Sequence, residues 1–357
     1  MRELDRIRQT LSAAATRGEA LVLCTVTEVE GSVYRGAGAR MIVTAGGDTA
    51  GAVSGGCLEA DIVARAPDVL SSGRAELARY DTRASDDVVL GLGLGCQGVI
   101  EVLLEPLSGT TLGDAIAMYD RLAARHDIVT LMTLVRTDTA DPPIGTRLVL
   151  DENGNTLEGD ERLRDRPHDV AREIMHPATP LVVCGAGTDA IPLVHLAKLM
   201  GWHVTVVDHR ASLVTLARFP DADELVCANL TDDATALAPR VVFDQRTVAV
   251  VMAHAAIHDR AYLHALLDAD VAYIGVLGPR RRTLELLGER ASAGDLPCTV
   301  HAPVGLDLGA ESPEEIALAI VAEIAAVTAG RRGGLLRDRS GPIHDRERVG
   351  STPVPMR

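Results

Sequence analysis

Apolar positions along this chain change rhythm once. In the first half, short alternating runs are separated by glycine-rich turns. After Pro180, compact runs of Val, Leu and Ile alternate with stretches whose apolar positions recur at helical spacing. Period two marks strands and a period near 3.6 marks helices. The first half therefore predicts a helix over Glu3 to Arg17, stopped by Gly18, and strands over Ala20 to Val29 and Ala39 to Thr44. A short Ala-rich helix opens at Cys57 and is expected to end by Pro67, which cannot donate the helical hydrogen bond. Strands over Arg74 to Tyr80 and Val99 to Leu104, a helix over Thr111 to Arg125 and a strand over Asp127 to Arg136 complete this half.

Two stretches of the first half resemble each other. Gly38-Ala39-Arg40-Met41-Ile42-Val43 is followed by Gly47-Asp48-Thr49, and Gly145-Thr146-Arg147-Leu148-Val149-Leu150 by Gly154-Asn155-Thr156, with equal spacing between first and last glycine. Asn153-Gly154 is a strong hairpin signal. Two similar hairpins in one sheet is the simplest expectation, with an internal duplication as the alternative.

The second half reads β-α-β: strand Leu181 to Cys184, helix Asp189 to Met200 and strand His203 to Asp208. Strand Thr247 to Met252, helix Arg260 to Leu267, strand Ala272 to Leu277 and helix Thr283 to Glu289 follow. Such alternation implies a parallel sheet. Ser312, Pro313 and Glu315 sign the start of a last long helix. The expected fold is α/β: an N-terminal α+β domain with a mixed sheet over 1–160, a polar linker over 161–179, a Rossmann-like domain over 180–330 and a polar tail over 331–357.

Composition narrows the function classes. A net charge of −15 disfavours nucleic acid and anionic membrane surfaces as partners. The six cysteines show neither CxxC nor zinc spacing, which fits a reducing compartment better than a disulfide scaffold. With no long apolar run and no signal-peptide pattern at Met1 to Asp5, a cytoplasmic protein without a membrane span is expected.

Candidate chemistry concentrates in four places. Cys57 lies in Gly51-Ala52-Val53-Ser54-Gly55-Gly56-Cys57-Leu58-Glu59 and Cys96 in Gly91-Leu92-Gly93-Leu94-Gly95-Cys96-Gln97-Gly98. Glycine lets a thiol approach a bulky ligand closely, and a thiolate is a soft metal ligand. Arg35 and Arg40 flank a loop of small residues that suits an anion. Gly185-Ala186-Gly187-Thr188-Asp189-Ala190 is a G-x-G-x-x-A turn between a strand and a helix, and Asp208 ends the next strand where a ribose-binding acid belongs. His254, with Asp259 nearby, and Arg280 to Arg282 follow later strands, and the arginines are expected to share one anion crevice with Gly185 and Gly187. There is no G-x-S-x-G, P-loop or HExxH, and no acid/base pair is apparent for hydride-transfer chemistry.

Taken together these runs resemble the XdhC/CoxI family. The residues that carry the likeness are Gly31-Ser32, Arg35, Gly38-Ala39-Arg40-Met41, Gly51, Gly55-Gly56-Cys57-Leu58-Glu59, Gly93 to Gly98 and Glu101 to Pro106. In the second half they are Gly185, Gly187, Asp208, His254, Gly275, Gly278, Arg280 to Arg282, Gly305, Asp307, Gly309, Pro313 to Ala317 and Pro342-Ile343-His344. Gln97, Thr188, Tyr34 and Gly36 depart from the family pattern. The resemblance implies a chaperone that binds molybdenum cofactor, protects it during sulfuration and delivers it to a xanthine or carbon monoxide dehydrogenase. Its implied partners are a cysteine desulfurase, the large subunit of the molybdenum hydroxylase and a second copy of the chain. The implied cofactor-binding residues are Cys57 (also the candidate molybdenum contact), Cys96, Gly55, Gly56, Glu59, Arg35, Arg40, Gly185, Gly187, Asp208, His254, Arg280 and Arg281. The Rossmann half also admits NAD(P) or another nucleotide. A nicotinamide-dependent oxidoreductase and a docking protein that never holds cofactor are the rival readings.

Overall fold

A computed structural model describes residues 2–81, 97–231, 237, 240–291 and 296–340. Cys96 and most of its glycine-rich loop lie outside the described residues, as does Pro342-Ile343-His344. The chain divides into two compact units, with the boundary at Pro177/Ala178.

The first unit opens with α1 (Arg2–Arg17), β1 (Leu21–Ser32), β2 (Arg40–Thr44), β3 (Thr49–Gly51), α2 (Glu59–Ser72), β4 (Glu76–Asp81), β5 (Gln97–Leu107) and α3 (Gly109–Ala123). β6 (Val129–Leu134), β7 (Arg147–Leu150), β8 (Thr156–Gly159) and β9 (Val170–Met175) follow. They form two sheets, ordered β3-β2-β1-β5-β4 and β8-β7-β6-β9. Every described pairing in them is antiparallel, so the mixed sheet expected for this half resolves into two antiparallel ones. Alternation along β1 explains why both of its faces are dry. Leu21 and Leu23 pack with α1 and α3, while Val22, Cys24 and Val26 pack with α2.

Three sequence expectations change here. Pro67 sits inside α2 rather than ending it, because Ile62, Ala66 and Val69 bury one face and hold the helix together across the missing donor. The expected linker carries a short 3-10 helix (Glu161–Asp165) and β9, which pairs with β6 through six residues. Its polar composition reflects an edge strand. The two similar hairpins belong to different sheets, where they hold equivalent places. Thr25 faces Arg40 as Thr133 faces Arg147, and Leu23 faces Glu105 as Leu131 faces Glu173.

The second unit is the parallel sheet the alternation predicts. Its strands are β10 (Pro180–Cys184), β11 (His203–Asp208), β12 (Glu224–Cys227), β13 (Val248–Val251), β14 (Tyr273–Val276) and β15 (Val300–His301), ordered β12-β11-β10-β13-β14-β15. The edge strands β12 and β15 are short, and the apolar pattern passes over them. α4 (Ala190–Leu199) and α7 (Pro313–Thr328) cover one face of the sheet, and α5 (Ala256–Asp268) and α6 (Arg280–Leu287) the other. Ser312 and Glu315 close the capping box at α7, with Pro313 at its first position. The strand order reverses between β10 and β13, which places a crevice beyond their C-terminal ends.

Candidate functional site

Each unit carries one candidate site. In the first, β3 ends at Gly51 and the chain turns through Ser54 to Cys57 before α2. The turn is rooted on β2: Ala52 N–H donates to the Arg40 carbonyl at 3.1 Å, and a Cβ on Gly51 (φ 81°) would stand 2.3 Å from that carbonyl oxygen. Only glycine fits there. Within the turn, Ser54 Oγ is the hub. It accepts the N–H groups of Gly56, Cys57 and Leu58 at 3.2, 3.1 and 3.1 Å and donates to the Glu59 carboxylate. Glu59 accepts the N–H groups of Val53, Ser54 and Leu58. Partial burial works against the charge of Glu59. The Ser54 hydroxyl and the backbone donors outweigh it and hold the carboxyl below its ordinary range.

Cys57 Sγ lies 3.4 Å from Ser54 Oγ and is half-buried. At Gly56 (φ 107°) a Cβ would meet nothing within 4 Å, so the backbone beside the thiol faces open space. Gly55 is covered instead by the ring of Tyr34, which is 73% exposed. The α2 helix begins at Glu59, two residues after the thiol, and the N–H groups leading into it are already satisfied by Glu59 and Ser54. The loop is thus a braced mount for one soft donor beside an open backbone, which fits a thiolate-binding metal centre. Ser54 is the residue that reading the sequence misses. A Ser five positions before a Glu at a helix start is the available signal.

Arg35 and Arg40 do not form an anion cradle. Arg35 is paired with Glu3. Arg40, with its side chain 6% exposed, spends its guanidinium on Glu173 Oε1 at 3.0 Å, Glu173 Oε2, the Gly38 carbonyl and the Tyr119 hydroxyl. Both arginines are tied to carboxylates within their own unit, and Arg40 is part of the core. Of the other described cysteines, Cys24 and Cys184 are buried in strands and Cys227 and Cys298 are exposed. Burial, aided by the charge of Glu105, pushes the Cys24 thiol up to about 12, which makes it an inert core residue.

The second site is the Rossmann crevice. Gly185 takes φ 125°, and a Cβ there would lie 2.5 Å from the Met252 carbonyl oxygen, so β10 and the end of β13 touch through this glycine. His254 adopts a left-handed φ of 59°, which a non-glycine residue takes only when its surroundings impose it. Its ring sits over Gly187, and its Nε2 lies 2.9 Å from Asp189 Oδ2. An ionised carboxylate only accepts, so Nε2 carries the proton. The crevice therefore holds a half-exposed imidazole oriented by a carboxylate. Sequence reading does not find this pair, because its members lie on different β-α loops. Gly185, Gly187 and His254 come together as expected.

Asp208 and the arginines do not join them in the expected way. Asp208 is fully buried, with Ala186 N–H donating to it at 2.7 Å and Arg210 bonding it bidentately. Arg281 is 90% exposed and pairs with Glu285 on its own helix, while Arg282 turns to Asp259. α6, which Arg280 opens, packs on the sheet face opposite α4. Arg281 therefore faces solvent and Arg282 is spent on a structural carboxylate, so these two do not form the expected clamp with Gly185.

A braced half-buried thiol on an antiparallel α+β unit, followed by a Rossmann unit with a histidine at its switch point, defines a two-unit α/β protein with a candidate loop in each unit. Two family models match the chain: the XdhC Rossmann domain over residues 181–324, and the XdhC and CoxI family over residues 14–81. A Bacillus subtilis (strain 168) protein described as a probable xanthine dehydrogenase subunit is 33% identical over 329 residues, covering 88% of this chain and 95% of the relative. The molybdenum cofactor insertion chaperone PaoD of Escherichia coli (strain K12) is 26% identical over 318 residues, covering 88% of this chain and 85% of PaoD. A crystal structure described as a xanthine dehydrogenase from Bacillus halodurans superposes with a TM-score of 0.77 at 30% identity, covering 91% of this chain and 96% of that one. The chain belongs to the XdhC and CoxI family.

Proposed function

We propose that this chain holds molybdenum cofactor during maturation of a molybdenum hydroxylase, with Cys57 as the contact for the cofactor's metal-and-sulfur end. The observation that carries the reading is the Ser54–Glu59 brace, which fixes a half-buried thiol beside the open backbone of Gly56. A carrier needs a soft donor held in place more than it needs a general base. The names of the relatives in Bacillus subtilis and Escherichia coli support the same role. When bound, the cofactor supplies a pterin dithiolene with molybdenum at one end and a phosphate at the other. This chain supplies Cys57 to the soft end, while Ser54 and Glu59 hold the loop that presents it.

In this reading the cofactor is protected while a cysteine desulfurase installs its terminal sulfur and is then handed to the large subunit of a hydroxylase. The chain is an accessory protein rather than the catalyst, acts as a homodimer and works in the cytoplasm, where thiols stay reduced. Among the described residues no helix is long and apolar enough to cross a membrane.

The test is to purify the full chain and its Cys57→Ser variant from cells that make molybdenum cofactor, then measure molybdenum and oxidised pterin per chain. The variant should keep the parent's circular dichroism and lose cofactor by about tenfold or more, the scale on which residues around a metal act. Equal molybdenum and pterin content in the two proteins would refute the role of Cys57.

A further inference from the structure

A Rossmann unit with a glycine-rich turn and an acid at the end of its second strand invites an adenine dinucleotide, yet the residues that would bind one are engaged with each other. The acid is Asp208. A carboxylate offers about four acceptor positions. At Asp208, Oδ1 takes the Arg210 backbone N–H at 2.9 Å and Arg210 Nε at 2.9 Å, and Oδ2 takes Ala186 N–H at 2.7 Å and Arg210 Nη2 at 2.8 Å. With the side chain 0% exposed, no acceptor is left for a ribose diol. The same contacts remove Ala186 N–H from the turn that would face a pyrophosphate, and Arg210 from any 2′-phosphate.

The base of such a nucleotide would extend from the ribose past the residue after the acid. That residue is His209, and its ring is stacked on His258 at a centroid distance of 3.6 Å and an angle of 12°. A purine between the two rings would need them about 7 Å apart, twice an ordinary carbon contact. His209 Nδ1 also lies 3.2 Å from Asp208 Oδ1, out of line for a hydrogen bond, which wedges the ring between the buried acid and the second imidazole. At the phosphate end, Asp189 adds a carboxylate beside Gly187.

We propose that this Rossmann unit rejects adenine dinucleotides, because Asp208, Arg210, His209 and His258 fill the nucleoside half of the crevice from within. At the phosphate end, His254 stands over Gly187 and is paired with Asp189, which leaves a carboxylate where a pyrophosphate would lie. Asp208 is then a positioning residue that ties the glycine turn to β11. This inference concerns the second unit alone and does not depend on the role of Cys57.

The test uses the full chain. NADH fluorescence and calorimetric titrations with NAD and NADP should show no saturable binding, and a dissociation constant below about 1 mM for any of the three would overturn the proposal. The stack is tested separately by following the His209 ring through a pH titration by NMR. In the parent its midpoint should lie below that of a free histidine, through burial and the neighbouring His258. His258→Ala should raise it. A midpoint that His258→Ala leaves unmoved would show that the rings do not plug the crevice.

Discussion

Asp208→Asn is the sharpest perturbation of the second unit. The change keeps the size of the side chain and removes its charge. It also brings an NH2 group toward Ala186 N–H and the Arg210 guanidinium, which are both donors. Burial alone would raise the carboxyl of Asp208, but the Arg210 and Ala186 donors outweigh it and bring it down to about 2 from an ordinary 3.8. That depression corresponds to about 2 kcal/mol of folding stability at neutral pH, at about 1.4 kcal/mol per tenfold. For a unit of this size the loss should lower its melting temperature by about 4–8 °C. The sign of the pH dependence is fixed. The folded state holds the carboxylate ionised more strongly than the unfolded chain does. The stabilisation is therefore complete above about pH 5 and is lost as pH falls toward 2. Urea titrations of parent and variant should show a gap that shrinks to about half by pH 3. A variant within about 0.5 kcal/mol of the parent at pH 7, the range of an ordinary surface substitution, would refute the internal role of Asp208. It would mean the carboxylate is free for a ligand.

Ser54→Ala should leave the N–H groups of Gly56 and Cys57 without an acceptor, costing about 1–3 kcal/mol, and should speed the reaction of Cys57 with Ellman's reagent. Unchanged stability and an unchanged rate would show that Ser54 does not brace the thiol. Glu173→Gln should cost about 3 kcal/mol in urea unfolding, because it strands the buried Arg40 without an anion. Glu105→Gln should match it through Arg147, and a pair of near-neutral results would contradict the core role of both arginines.

The second unit is legible in the sequence because parallel strands buried on both faces write near-continuous apolar runs, and the capping box at Ser312 and the turn at Gly185 have local signatures. Only its short edge strands escape. The first unit is harder. Pro67 reads as a stop, but tertiary burial of Ile62 and Val69 overrides one lost hydrogen bond. Residues 161–179 read as a linker because an edge strand with one wet face is as polar as a loop. At the sites, the sequence marks Cys57 and His254 correctly as loop residues at strand or helix ends. It cannot show that Arg40 is buried, that Arg281 points into solvent or that Asp208 turns inward. Those facts depend on partners far away in sequence: Glu173, the packing of α6 and the backbone of Ala186.

The repeated hairpins also explain how the thiol loop is anchored. Arg40 of the first sheet pairs with Glu173 of the second, and Arg147 of the second pairs with Glu105 of the first. Gly38 and Gly145 stand where a Cβ would lie 2.7 Å from the incoming Glu173 and Glu105 oxygens, and Gly51 and Gly159 stand where it would lie 2.3 and 2.2 Å from the carbonyls of Arg40 and Arg147. The same requirements are met twice in the same order, once in each hairpin. Neither sheet could keep this arrangement alone, since each would bury an arginine and a glutamate whose partners lie on the other. The crossed pairs therefore lock the two sheets into one body. Arg40, the residue at that lock, is also the one whose carbonyl anchors Ala52 at the root of the Cys57 turn. An arginine that resembles an anion ligand in the sequence thus serves the site indirectly, by fixing the strand from which the thiol is presented.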